Sequence, residues 1–239
     1  MRIHVIQHVP FEGPGLIGRW AEESGYELTT TMASAEDYPD SDDVDFLVVM
    51  GGPMAADDAH ASPWLHAEKH FVAEAIASGK IVLGVCLGAQ IIAEVLGGAI
   101  HRNEEREIGW YPVSKTELGK GEPLFADWPE YVVVGHWHAD TFDLPLGLAP
   151  SLSSEVTPNQ AFVFDERVVG LQFHLEWDEA LIETMLEFGA EDLSDRTGFV
   201  MSDTEFSDEM PDHIPECREL LYTLLDGLDA IGPVSADSR

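Results

Sequence analysis

Ile81-Val-Leu-Gly-Val-Cys-Leu-Gly-Ala-Gln90 decides the reading of this chain. An apolar strand runs straight into a helix whose apolar side is Ile91, Ile92, Val95 and Leu96, and Gly97-Gly98 stops that helix. Cys86 stands at the junction, with Gly84 and Gly88 at minus two and plus two. This is the spacing of a nucleophile elbow, a sharp turn that needs neighbours without side chains and lifts its central residue toward a pocket. The helix N-terminus behind Cys86 favours thiolate, the reactive form of the side chain. A buried structural cysteine is the common alternative; the glycine pair at a strand-to-helix junction argues against it. Cys217 has no such setting, sits at the start of the last apolar stripe and reads as structural or inert.

Outward from the elbow, short apolar runs alternate with amphipathic ones. Strands are expected at 3–7, 26–31 and 44–50, and helices at 16–23 and 64–77. That alternation is the pattern of an α/β fold with a mostly parallel central sheet flanked by helices. After the elbow, strands at 107–116, 131–136, 161–164 and 168–173 follow with few helices between them, which predicts an antiparallel extension. Asp165-Glu166-Arg167 is expected as a hairpin turn. A helix over 178–188, an acidic segment at 191–213 expected as solvated loop, and a helix at 214–232 carrying Leu220, Leu221, Leu224, Leu225 and Leu228 close the chain. The 239 residues fit a single domain with its core in about 1–190. The apolar stretch 81–100 is long enough for a membrane span. Gln90, Glu94 and glycines at a turn and a helix end make it a buried strand and helix instead.

Asp and Glu number 45 against 12 Lys and Arg, a formal charge of −33. Such a surface repels nucleic acid and anionic membranes, so neither is expected as a partner. Two cysteines make no disulfide framework, and MRIHVIQH lacks an apolar signal segment, so the expected location is the cytoplasm.

An acyl-transferring cysteine needs a base and an oxyanion site. In Leu171-Gln-Phe-His-Leu-Glu-Trp177 a strand ends near His174, and alternation lets Glu176 point the same way and hold the imidazole in one tautomer. Gly51-Gly52-Pro53 follows a buried strand, where loops of such sheets gather at the active-site edge. The N–H groups of Gly52 and Leu87 would form a two-donor oxyanion hole. His136, His138 and Asp140 have a spacing conceivable for a metal, but nothing completes a ligand set, and neither metal nor cofactor is expected.

Gly51-Gly52-Pro53, Gly84-Val-Cys-Leu-Gly-Ala-Gln90 and Phe173-His-Leu-Glu176 together resemble the class I, triad-type glutamine amidotransferases, from the first strand through Glu176. Leu175 stands where that family often has proline. The resemblance implies a flavodoxin-like fold and a γ-glutamyl thioester on Cys86, with His174 as base and then acid, oriented by Glu176. It implies that Gln90 helps hold the glutamyl group. It also implies that Val134-Gly-His-Trp-His-Ala-Asp140 binds the α-amino and α-carboxyl groups, through His136, Trp137 and Asp140. The expected substrate is then glutamine, with ammonia passed to an unidentified acceptor or partner, such as a synthetase. The whole length, with Gly109-Trp-Tyr-Pro-Val113, looks most like the stand-alone GMP synthase-like subgroup, which includes γ-glutamyl peptidases. A free-standing hydrolase of glutathione-like γ-glutamyl compounds is therefore the alternative. Leu87 after the elbow cysteine sets the chain apart from the intracellular protease branch of the fold, which places histidine there.

Overall fold

Burial on both faces marks the strands that carry the elbow: every residue of β3 (Phe46–Val49), β4 (Ile81–Val85) and β9 (Val168–Leu171) is buried. Parallel sheets are covered on both faces, so their strands read as continuous apolar runs. The computed structural model describes residues 1–194, 196 and 198–234. Along the chain its elements are β1 (Arg2–Gln7), α1 (Gly15–Glu23), β2 (Glu27–Met32), β3, α2 (Leu65–Ala77), β4, α3 (Leu87–Val95), β5 (Ala99–Lys115), β6 (Tyr131–Asp143), β7 (Leu152–Ser153), β8 (Ala161–Phe164), β9, α4 (Glu179–Phe188), β10 (Phe199–Val200) and α5 (Asp203–Ile231).

The strands form one sheet in the order β10-β5-β7-β8-β9-β4-β3-β1-β2, with β6 also paired to β5. From β2 to β9 the pairing is parallel; β9, β8, β7, β5 and β6 continue antiparallel. The expected mixed α/β sheet is present. Alternate residues face opposite layers. Ile3, Val5, Phe46, Val48, Ile81 and Leu83 pack with Leu16 and Ile17 of α1, Ile182 of α4 and Leu221, Leu224 and Leu228 of α5. Ile6, Leu47, Val49 and Val82 pack with Leu65 and Val72 of α2 and Ile91 and Ile92 of α3 on the other side. No helix among the described residues is long and apolar enough to cross a membrane.

Three boundaries differ from expectation. β5 begins at Ala99 and β6 continues to Asp143, pairing Ala99 with Asp143 and Arg102 with Asp140 across an irregularity between Arg102 and Glu107. This half of the ladder is mostly exposed and charged on β5, so backbone pairing holds it without an apolar pattern. The segment expected as loop to residue 213 contains β10, parallel to β5, and is helical from Asp203. Ser202 and Glu205 form a reciprocal capping box there, which satisfies amides at the helix start. Phe206, fully buried, stacks on Trp110 at 5.4 Å and anchors the first turn. Pro211 and Pro215 lie inside α5; each lacks the N–H for a helical bond, and the helix continues through them with Met210, Ile214 and Cys217 against the core.

Candidate active site

Between β4 and α3, Cys86 makes the turn alone, at φ 52° and ψ −108°. Positive φ strains a residue with a side chain. The residues two before and two after it must be glycine because the backbones close in. A Cβ on Gly84 would lie 2.5 Å from the carbonyl of Gly88, and one on Gly88 would strike the Val49 carbonyl. The Cys86 N–H donates to Leu171 O at 2.7 Å, tying the elbow to β9.

Because β9 lies beside β4 in parallel, with Val85 opposite Leu171, the residues after Leu171 emerge next to the elbow. The His174 N–H donates to Gly135 O of β6 at 2.8 Å. Nδ1 of His174 lies 2.7 Å from Glu176 Oε1, and Glu176 Oε2 accepts from the Leu175 N–H at 3.1 Å. A carboxylate bound this way favours the proton on Nδ1, while Nε2 is buried with no hydrogen-bond partner. Trp177 stacks on the imidazole at 4.1 Å and 14°, a contact that favours a cationic ring. Burial opposes protonation of His174, but the Glu176 charge and the adjacent Cys86 sulfur outweigh it and push the pKa up to about 10.

The Gly51-Gly52 loop leaves β3, the neighbour of β4 on its other side. Gly52, Cys86, Gln90, Trp137, Asp140 and His174 line one cleft of about 290 Å³. Leu87 opens α3, so its N–H has no partner within the helix. Gln90 Nε2 donates to Asp140 O at 3.3 Å and to Gln172 Oε1 at 3.2 Å, and Gln172 Nε2 reaches Cys86 Sγ at 3.7 Å. The Cys86 thiol lies 3.6 Å from Trp137 O.

The family model "Glutamine amidotransferase class-I" matches residues 17–188. The chain belongs to the class-I glutamine amidotransferase family. Among similar members, the glutamine amidotransferase-like protein YfeJ of Salmonella typhimurium is 34% identical over 235 residues, covering 95% of this chain and 97% of YfeJ. The GMP synthase of Streptomyces avermitilis is 33% identical over 132 residues, 54% of this chain but 23% of that enzyme. A glutamine amidotransferase from Thermotoga maritima superposes with a TM-score of 0.87 at 28% identity, over 95% of this chain and 97% of that one. One from Methylobacillus flagellatus, at 24% identity, shares the fold with a TM-score of 0.91 over 100% of this chain and 98% of its own.

In this family member one expected contact residue falls elsewhere. His136 does not line the cleft: it is fully buried, its Nε2 is 3.2 Å from Tyr111 O, and its Nδ1 is 3.9 Å from Glu107. Its ring sits beside Glu107 and Tyr111 in the core, while Trp137, His138 and Asp140 of the same strand line the cleft. Burial holds its pKa down at about 4, so the ring is neutral. Glu107, His136 and His138 each bring a ligand-type atom within 4.8 Å of the others. The Glu107 oxygens already accept from Ser154, Thr157 and Gln160 at 2.6–2.7 Å, and His138 Nε2 lies 3.1 Å from Oε2. That donor set suits a hydrogen-bonded carboxylate; burial opposes its charge, but His138 and the other partners hold the pKa at about 2.

Among the further residues at the site that the sequence reading did not single out are Gln172, Glu12, Arg102 and Arg106. Gln172 stands two residues before His174 in the extended chain that follows β9, a period-two signal that was available. Glu12, a buried carboxylate raised in pKa first by its burial, joins the cleft beside Cys86 and His174. Arg102 and Arg106 line it too, Arg102 bonded to Asp140 at 3.2 Å and Arg106 to Asp192 O at 2.9 Å. Away from the cleft, Cys217, expected structural or inert, is buried with its thiol pushed up to about 12 by that burial.

Proposed function

We propose that the chain hydrolyses the γ-amide of glutamine through a γ-glutamyl thioester on Cys86. The observation that carries this reading is the elbow cysteine beside a histidine whose Nδ1 is held by Glu176 at 2.7 Å, all within one cleft. The sulfur attacks the γ-carbonyl carbon. Negative charge gathers on the carbonyl oxygen, between the Gly52 and Leu87 N–H groups. The imidazolium of His174 gives its Nε2 proton to the leaving nitrogen, the C–N bond breaks, and ammonia departs. Water then attacks the thioester with His174 as base, and glutamate leaves. Gln90, Trp137 and Asp140 hold the glutamyl group, and ammonia passes to an acceptor or partner. The reaction needs no metal or cofactor, and its setting is the cytoplasm.

A second reading, hydrolysis of glutathione-like γ-glutamyl peptides, draws on the cleft's outer wall. Phe11 and Phe188 stack there at 4.5 Å, next to Met185 and Trp137. Ammonia has no apolar surface to cover, whereas a peptide leaving group does. Glutamate release from glutamine and from γ-glutamyl peptides, with Cys86→Ala as the blank, tests both. Glutamine hydrolysis is expected, and it vanishes in Cys86→Ala. Turnover of peptides alone would replace the first reading by the second, and turnover by the Cys86→Ala variant would refute the mechanism.

A further inference from the structure

Outside the cleft, against the Gly51-Gly52 loop, lies a second histidine–carboxylate pair. His8 follows β1 and Glu68 sits in α2; both side chains are wholly buried, with Nε2 2.8 Å from Oε1. Glu68 Oε2 is buried with no hydrogen-bond partner. Trp64 covers the His8 ring at 5.6 Å. A buried pair of this kind is a weak source of stability, since apolar residues of similar volume often serve as well.

The other nitrogen shows what the pair holds. His8 Nδ1 lies 3.0 Å from the Gly51 carbonyl oxygen. A carbonyl only accepts, so Nδ1 carries a proton. This holds whether the proton between Nε2 and Glu68 rests on the ring or on the carboxyl. Burial opposes charge on His8, yet the Glu68 hydrogen bond and charge outweigh it and raise its pKa.

Gly51 O belongs to the same peptide unit as the Gly52 N–H. The unit is planar and trans, so its C=O and N–H point in opposite directions. With the oxygen drawn to His8, the N–H is aimed the other way, and Gly52 borders the cleft that holds Cys86. The anchor matters because a peptide between two glycines has the widest choice of backbone angles and flips most easily. His8 also crowds the loop directly: a Cβ on Gly52 would lie 2.8 Å from His8 Cβ. A hydrogen bond to the carbonyl further polarises the peptide and strengthens its N–H as a donor.

We propose that His8, oriented by Glu68, is a positioning residue that locks the Gly51–Gly52 peptide with its N–H toward the oxyanion. The proposal rests on the thioester reaction above. The test compares His8→Leu/Glu68→Leu, which removes the donor without stranding a charge, with His8→Asn/Glu68→Leu, whose Asn amide can replace Nδ1. In the first, kcat for glutamine falls about 10- to 100-fold with KM unchanged, somewhat less than loss of an oxyanion donor outright. Alkylation of Cys86 by iodoacetamide, which forms no oxyanion, keeps its rate. The second variant recovers most of kcat. The NMR resonances of the Gly51 carbonyl and Gly52 amide shift in the first variant and return in the second. Wild-type kcat in the Leu/Leu variant, or parallel loss of alkylation and turnover in both variants, would overturn the proposal, as would unmoved resonances. A wild-type protein that releases no glutamate would instead sink the thioester reading, while the resonances still judge the anchor.

Discussion

Glu176 accepts from two donors, His174 Nδ1 through one oxygen and the Leu175 N–H through the other. A glutamine there has only one accepting atom, so one donor must meet an NH₂ group. Glu176→Gln therefore loses tautomer control more than the base itself. Its kcat is expected to fall by roughly 10²- to 10⁴-fold yet stay above the Cys86→Ala blank; a wild-type kcat would count against the orienting role. The same charge governs a pH effect. His174 rises from an ordinary 6.5 unfolded to about 10 folded. Between those values the folded chain keeps a proton that the unfolded chain releases, so stability falls as pH rises. The stabilisation is full below the unfolded value and is lost as pH passes through the folded one. Urea midpoints measured from pH 6 to 10 should fall, and the fall should be shallower in Glu176→Gln, where the main source of the shift is gone. Equal slopes in the two proteins would show that the proton is held otherwise.

At the scale of elements, what could be read was what leaves a local mark. The elbow strand and helix were legible because burial on both faces makes a continuous apolar run and because two glycines are sterically required around Cys86. His174 and Glu176 were legible as a pair at a strand end. The charged half of β5 was not, since paired backbone carries no apolar period. Nor were His8 and Glu68, which stand 60 residues apart and meet only through the sheet. The start of α5 had a usable sign, Ser202-Asp-Thr-Glu205, but two prolines and many acidic residues masked it. Glu205 N–H donates to Ser202 Oγ at 3.2 Å, and Ser202 N–H to Glu205 Oε2 at 2.8 Å. Ser202→Ala should cost about 1 kcal/mol of unfolding free energy, and Ser202→Asp much less. Urea titration of the three proteins measures it; an Ala variant as stable as wild type would mean the first turn is held by Phe206 alone.

Over the whole molecule the dominant quantity is the charge of −33. Attractive pairs such as Arg2–Asp45 and Lys69–Glu94, each at 2.8–2.9 Å, are few, because 12 cations face 45 carboxylates. Salt weakens both attraction and repulsion, and with this imbalance repulsion is the larger loss. The screening length shrinks from about 30 Å at 0.01 M to about 3 Å at 1 M, so the melting temperature should climb across that range. A flat profile would mean that the carboxylates sit too far apart to repel. The same field acts on substrates before they reach the cleft. Glutamine is a neutral zwitterion, while a γ-glutamyl peptide with a second carboxylate is an anion. An anion approaching a strongly negative body is slowed at low salt, and screening removes the barrier. If the protein cleaves both, kcat/KM for the peptide should rise with chloride concentration while that for glutamine changes little. Parallel salt profiles for the two substrates would place a local positive field at the cleft mouth, where Arg102 and Arg106 stand, strong enough to cancel the rest of the surface.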